Sequence, residues 1–118
     1  MFTAYLIVAL VTIVLTAGAA IADFAYAPFV LKNSAAVGVP RSWLIPLGLV
    51  KAAGAAGLIL GLLGVPYLGT AAAAGLVLFY LGAVVVHVRT RVFGNIAAPG
   101  GLLALAAVVL VLDLAQAR

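Results

Sequence analysis

The chain has 118 residues, of which 69% are hydrophobic and 7% are charged, and its mean hydropathy is +1.44. A soluble domain carries charge on roughly a quarter of its residues, so this composition excludes a soluble globular fold and indicates a membrane protein. The sequence contains no cysteine, which excludes disulfides, thiol chemistry and Cys-ligated metal centres. Its formal charge of +4 comes from scattered basic residues, a pattern that indicates membrane topology rather than nucleic-acid binding.

Four apolar stretches are long enough to cross a bilayer. Each crossing needs around 20 residues, because the hydrocarbon core is about 30 Å thick and a helix rises about 1.5 Å per residue. We therefore predict an all-α fold, a four-transmembrane-helix bundle that forms one integral membrane domain. The spans are expected at residues 2–25, 42–63, 67–88 and 97–114. No Lys or Arg precedes the first apolar stretch, which favours an uncleaved span over a signal peptide.

The connections between the spans differ in length. The first, residues 26–41, is predicted to lie at the headgroup level, with a short helix from Pro28 to Ala36 that Gly38 stops. The second is a tight turn at Gly64-Val65-Pro66-Tyr67, which makes the second and third spans an antiparallel hairpin. The third is a short loop through Gly94 and Asn95.

Basic residues mark one side of the membrane. Four of them lie in the first and third connections, which share one side: Lys32, Arg41, Arg89 and Arg91. The opposite side carries only Arg118. The positive-inside rule then predicts a multi-pass protein of the inner (plasma) membrane, with the first and third loops cytoplasmic and both termini outside.

Ionisable groups inside a membrane are costly and call for a partner or a role. Lys51 lies about nine residues, or roughly 13 Å, into the second span, and its stem can lift the ammonium about 5–6 Å. This brings it to the level of Asp23, so we predict an ion pair between the two. His87 ends the third span on the same side. Asp113, near the end of the fourth span, is predicted to be a solvated helix end.

Polar residues recur at helical spacing around this pair. Thr16 and Asp23 are seven residues apart, as are Tyr80 and His87, so each couple shares one helix face. The spacing predicts a polar ligand pocket lined by Lys51, Asp23, His87, Tyr80 and Thr16. The alternative is that the lysine snorkels alone, the histidine lies among the headgroups and the threonines bond to their own helices.

Small residues predict where helices touch. Ala53, Gly57 and Gly61 are spaced four apart on the second span, and Ala71 with Gly75 forms a weaker set on the third. Close helix contacts in lipid use such residues. We expect packing within the bundle, with an oligomer through these faces as the alternative.

The absent residue types also limit the chemistry. The sequence has no glutamate, one histidine and no glycine-rich phosphate loop. These absences exclude a haem with two axial histidines, a His-rich metal site and a two-carboxylate hydrolase within the chain. We therefore predict no metal site and no catalytic residue.

Two segments carry a family resemblance. Residues 37–44 read VGVPRSWL and residues 51–58 read KAAGAAGL, and His87 follows a third span rich in glycine and alanine. This pattern resembles the DoxX-like family of small bacterial membrane proteins. The resemblance implies a four-helix membrane bundle. It makes Lys51 the first residue to which a functional role in the family would be assigned. It also implies a link to quinone-dependent thiosulfate oxidation, redox complexes or membrane-protein assembly.

Three functions remain open from the sequence. The leading one is a non-catalytic accessory subunit or interaction protein of a membrane complex, with no cofactor within the chain and the lipid bilayer as its surroundings. The second is a quinone- or thiosulfate-linked redox subunit, in which a bound quinone or a membrane redox partner supplies the redox centre. The third is a proton-coupled transporter of a small solute.

Overall fold

The structure, a computed structural model, describes residues 2–65, 67–94 and 96–115, and these residues form helices without strands. The predicted all-α fold is confirmed. The elements are α1 (Phe2–Phe24), α2 (Pro28–Ala36), a 3-10 turn (Arg41–Trp43), α3 (Leu44–Leu62), α4 (Leu68–Arg89) and α5 (Ala97–Ala115).

Four of these helices, α1, α3, α4 and α5, are long and apolar enough to span a membrane. A helix satisfies its backbone hydrogen bonds internally, as the hydrocarbon core requires. The helix bounds differ from the predicted spans by no more than about two residues, within the usual scatter of helix ends. Pro66 of the predicted turn, Asn95 of the third loop and the charge of Arg118 lie outside the described residues.

The short helix α2 begins at Pro28 and ends at Ala36, as predicted. Gly38 has φ +77° and follows the helix in the left-handed conformation. The Val39 N–H donates to the Ser34 carbonyl at 2.8 Å, which closes a Schellman motif. Gly64, with φ +104°, ends α3 in the same way.

The ends of α1 and α4 adopt this motif without glycine. Tyr26 (φ +49°) follows α1 and Arg91 (φ +56°) follows α4, both in the left-handed region. The conformation costs an L residue roughly 1–2 kcal/mol. Both residues lie at the same end of the bundle, because α1 and α4 run in the same direction.

The four long helices form a ring in the order α1, α3, α4, α5, since α1 and α4 each pack against both α3 and α5. Apolar side chains close the centre, and the fully buried ones include Ala9, Leu58, Ala73, Ala106 and Val109. Large apolar side chains such as Val14, Leu78 and Val111 are exposed on the outer surface, where they would face lipid.

Glycines bring α3 against α4. A Cβ at Gly61 would lie 2.6 Å from the Gly69 Cα, and one at Gly57 would lie 2.7 Å from the Ala72 Cβ. The prediction for Ala53 is wrong, because this residue is exposed and Gly54 faces α4 instead. A four-residue step turns about 40° beyond a full helical turn, so a stripe spaced four apart drifts off the contact face. The glycines serve packing within the bundle.

Candidate functional site

The predicted ion pair joins α1 to α3. The Lys51 Nζ donates to the Asp23 Oδ2 at 2.9 Å, and the two side chains are 17% and 4% exposed. Gly48 allows this approach, because a Cβ there would lie 2.8 Å from the Phe24 ring. The ammonium also lies 5.6 Å from the centre of the Phe79 ring, within the range of a cation–π contact. The pair therefore holds opposite charges together in a mostly buried position.

A hydrogen bond between hydroxyls crosses the interior of the bundle. Thr16 Oγ1 and Tyr80 Oη are 2.8 Å apart and buried, and they link the opposite helices α1 and α4. Asp23 and His87 lie seven residues further along these two parallel helices, which is about 10.5 Å at the helical rise. Both therefore lie at one level, which we call the ion-pair end of the bundle.

His87 is buried, with 8% of its surface exposed. Its Nδ1 lies 2.8 Å from the Ala83 carbonyl oxygen of its own helix. A carbonyl only accepts, so Nδ1 carries a proton and donates. The Nε2 is buried and has no hydrogen-bond partner within the described part of the chain. A buried polar atom without a partner costs about 1–3 kcal/mol, so this atom is a candidate contact for a bound group.

The opposite end of the bundle holds a polar contact that the sequence interpretation missed. Asp113 is 2% exposed and accepts a hydrogen bond from the Thr70 hydroxyl, so the prediction of a solvated helix end is wrong. Thr70 lies near the start of α4 and Asp113 near the end of α5. Because α4 and α5 are adjacent and antiparallel, the start of α4 and the end of α5 lie at the same level. The position of Thr70 near the start of one span and of Asp113 near the end of the next is the sequence signal that could have revealed the contact.

The five residues of the predicted pocket form two bonded pairs and one isolated ring. Asp23 pairs with Lys51 and Thr16 with Tyr80, while His87 bonds to its own helix. Three helices thus contribute to the ion-pair end. No cluster of three metal-ligating side chains occurs in the ranges that the structure describes. Among the described residues, the Nε2 of His87 is the buried polar side-chain atom that has no hydrogen-bond partner.

Comparison with protein families places most of the chain in a single match. Residues 7–109 match the model of the DoxX-like family. Neither the curated proteins nor the solved structures contain a match to the chain. The match covers all four long helices in large part, and with them every residue of the ion-pair end.

Proposed function

Since the chain belongs to the DoxX-like family, we propose that it is a non-catalytic accessory subunit of a membrane complex. Its contribution is an intramembrane site at which His87 receives the polar group of a lipid-soluble ligand. The site lies at the ion-pair end, between α1, α3 and α4.

The observation that carries this proposal is the buried Nε2 of His87, which has no partner among the described residues. The polar groups nearest in level already satisfy one another, since Asp23 binds Lys51 at 2.9 Å. A ligand would add little to Asp23 and Lys51, which already bond to each other. The Nε2 of His87 would gain a hydrogen bond from a ligand. A neutral ring presents Nε2 as an acceptor, and a protonated ring presents it as a donor.

A redox role is the second candidate, because a quinol could form a hydrogen bond with the same Nε2 atom of His87. A neutral His87 accepts a hydrogen bond at Nε2, and the hydroxyl of a quinol can donate one. The electrons would pass to a cofactor of a partner subunit, while this chain would bind and orient the headgroup.

A proton-coupled transporter draws less support from the geometry. The ion-pair end and the contact between Thr70 and Asp113 lie at opposite ends of the bundle. Between them lie fully buried apolar side chains, among them Ala9, Leu58 and Ala73, and the hydroxyls of Thr16 and Tyr80, which bond to each other.

The single histidine allows a direct test, because 15N-labelled histidine gives ring signals from His87 alone. We would record these NMR signals for protein purified gently from its membranes and again after exhaustive detergent exchange. The proposal expects the Nε2 signal to shift from a hydrogen-bonded to a free position as the bound ligand is lost. An identical Nε2 signal in both samples would contradict it.

Short-chain ubiquinol and ubiquinone then separate the two candidates. Ubiquinol carries donor hydroxyls, so a redox site predicts that it restores the shifted Nε2 signal, while ubiquinone leaves the signal of the neutral ring unchanged. A Thr16→Val variant is the matched control, since it removes a buried polar group on α1 but leaves the imidazole in place. Mass spectrometry of the washed-off lipids identifies the ligand itself.

A further inference from the structure

A second feature of the ion-pair end faces the surroundings rather than the interior. An open groove of about 540 Å³ lies between α2 and the connection from α4 to α5. Its lining residues are Phe29, Lys32, Asn33, Ala36, Val92 and Gly94. The volume falls in the range of small-molecule sites, about 300–1,000 Å³. The groove is separate from the ring of His87.

The lining combines two kinds of surface. Phe29, Ala36 and Val92 present apolar side chains, and the Lys32 ammonium and the Asn33 amide supply hydrogen-bond donors. Both walls directly follow helices that end at this side of the bundle, α1 and α4. A membrane places the groove where headgroups meet acyl chains, and a phospholipid has the same division between a polar and an apolar part.

The charge of this end favours an anion. The sequence has two acidic residues, Asp23 and Asp113. Asp23 is already bound by Lys51, and Asp113 lies at the opposite end. Four further basic residues lie at this end: Lys32, Arg41, Arg89 and Arg91. In the described part of the chain no carboxylate pairs with these four residues, and Arg41 lies 4.6 Å from the centre of the Tyr26 ring.

We propose that the groove binds an anionic phospholipid. Its phosphate accepts hydrogen bonds from Lys32 and Asn33, and the upper part of an acyl chain lies along Phe29 and Val92. A basic residue near the membrane surface contributes to such binding by about fivefold. The proposal does not depend on the function proposed for His87, because the two sites share no residue.

The only tryptophan of the sequence provides the measurement. Trp43 belongs to the 3-10 turn that packs against α2, and its side chain is largely exposed. Brominated lipids quench tryptophan fluorescence on contact, so the protein would be titrated with brominated phosphatidylglycerol and brominated phosphatidylcholine of equal chain length. We expect phosphatidylglycerol to quench Trp43 at about fivefold lower mole fraction.

Two variants target the groove, each with a matched control. Lys32→Gln removes the charge that lines the groove, and Arg89→Gln removes a charge outside it. Gly94→Leu adds bulk at a residue that lines the groove, where a Cβ meets no atom within 4 Å. Gly82→Leu adds the same bulk at a similarly open position on α4, outside the groove. Lys32→Gln and Gly94→Leu should abolish the lipid preference, while the two controls retain it.

Three outcomes would overturn the proposal. Equal losses in Lys32→Gln and Arg89→Gln would indicate a general surface potential. An unchanged preference in Gly94→Leu would place the lipid elsewhere. Abolition of the preference by inorganic phosphate, added at the same concentration as the lipid, would indicate a site for a free anion rather than for a lipid.

Discussion

At one end of the bundle a buried carboxylate faces an ammonium, and at the other a buried carboxylate faces a hydroxyl. Asp23 and Lys51 neutralise each other across α1 and α3 at 2.9 Å. Asp113 accepts a hydrogen bond from Thr70 across α5 and α4, and this donor brings no charge. Asp23 is thus held by a charged donor, and the Thr70 donor to Asp113 is a neutral hydroxyl.

This difference determines which substitutions each end tolerates. Removal of one charge at the ion-pair end leaves the other charge buried without compensation. At the opposite end an amide can replace the carboxyl group and still accept the hydrogen bond from Thr70. The comparison can be tested by the free energy of unfolding in detergent.

The largest effect is expected from Lys51→Met, because it leaves the Asp23 charge buried. The loss should be about 3–5 kcal/mol in the free energy of unfolding. The double variant Lys51→Met/Asp23→Asn should recover most of this loss, since neither charge remains. The check is a double-mutant cycle from thermal unfolding in one detergent, and losses that simply add would show that the two groups are not coupled.

A smaller effect is expected at the opposite end. Thr70→Val removes a donor to the buried Asp113 and should cost about 1–3 kcal/mol. Asp113→Asn preserves an acceptor of the same shape and should cost less than Thr70→Val. Chemical unfolding of both variants in detergent measures the order, and a larger loss in Asp113→Asn would mean that the carboxylate charge itself stabilises this end.

His87→Leu should change the stability least among the buried polar groups. The substitution removes the unpartnered Nε2, and the Ala83 carbonyl retains its place in the helical hydrogen-bond ladder. We expect a change within about 1 kcal/mol, because loss of a buried atom without a partner offsets the loss of one hydrogen bond. A loss comparable to that of Lys51→Met would show that His87 is a structural residue instead of a ligand contact.

The side of the membrane that each end of the bundle faces can be tested by thiol labelling, which does not depend on a measurement of stability. The chain has no cysteine, so Ser34→Cys on α2 and Val65→Cys after α3 each provide a single thiol. An impermeant reagent added to intact cells should label Val65→Cys and leave Ser34→Cys unlabelled until the cells are opened. The reverse pattern would place the ion-pair end outside.

The sequence was sufficient for the spans, because hydropathy and length decide them. It also predicted α2, since Pro28 and Gly38 act locally at its two ends. Asp113 was misassigned because its burial depends on the register between α4 and α5, which hydropathy does not contain. The left-handed Arg91 could not be predicted either, because the residue type favours other conformations and the surrounding helix end imposes this one.

The glycine contact between α3 and α4 has a consequence for the order of assembly. These two helices are joined by a short connection, so their association costs little chain entropy after insertion into the bilayer. In contrast, α5 must find α1 across almost the whole chain. We expect α3 and α4 to associate first, and Lys51 on α3 then to bind Asp23 as α1 packs against the hairpin. Bulk at Gly61 would then slow the recruitment of α1 as well as the closure of the hairpin.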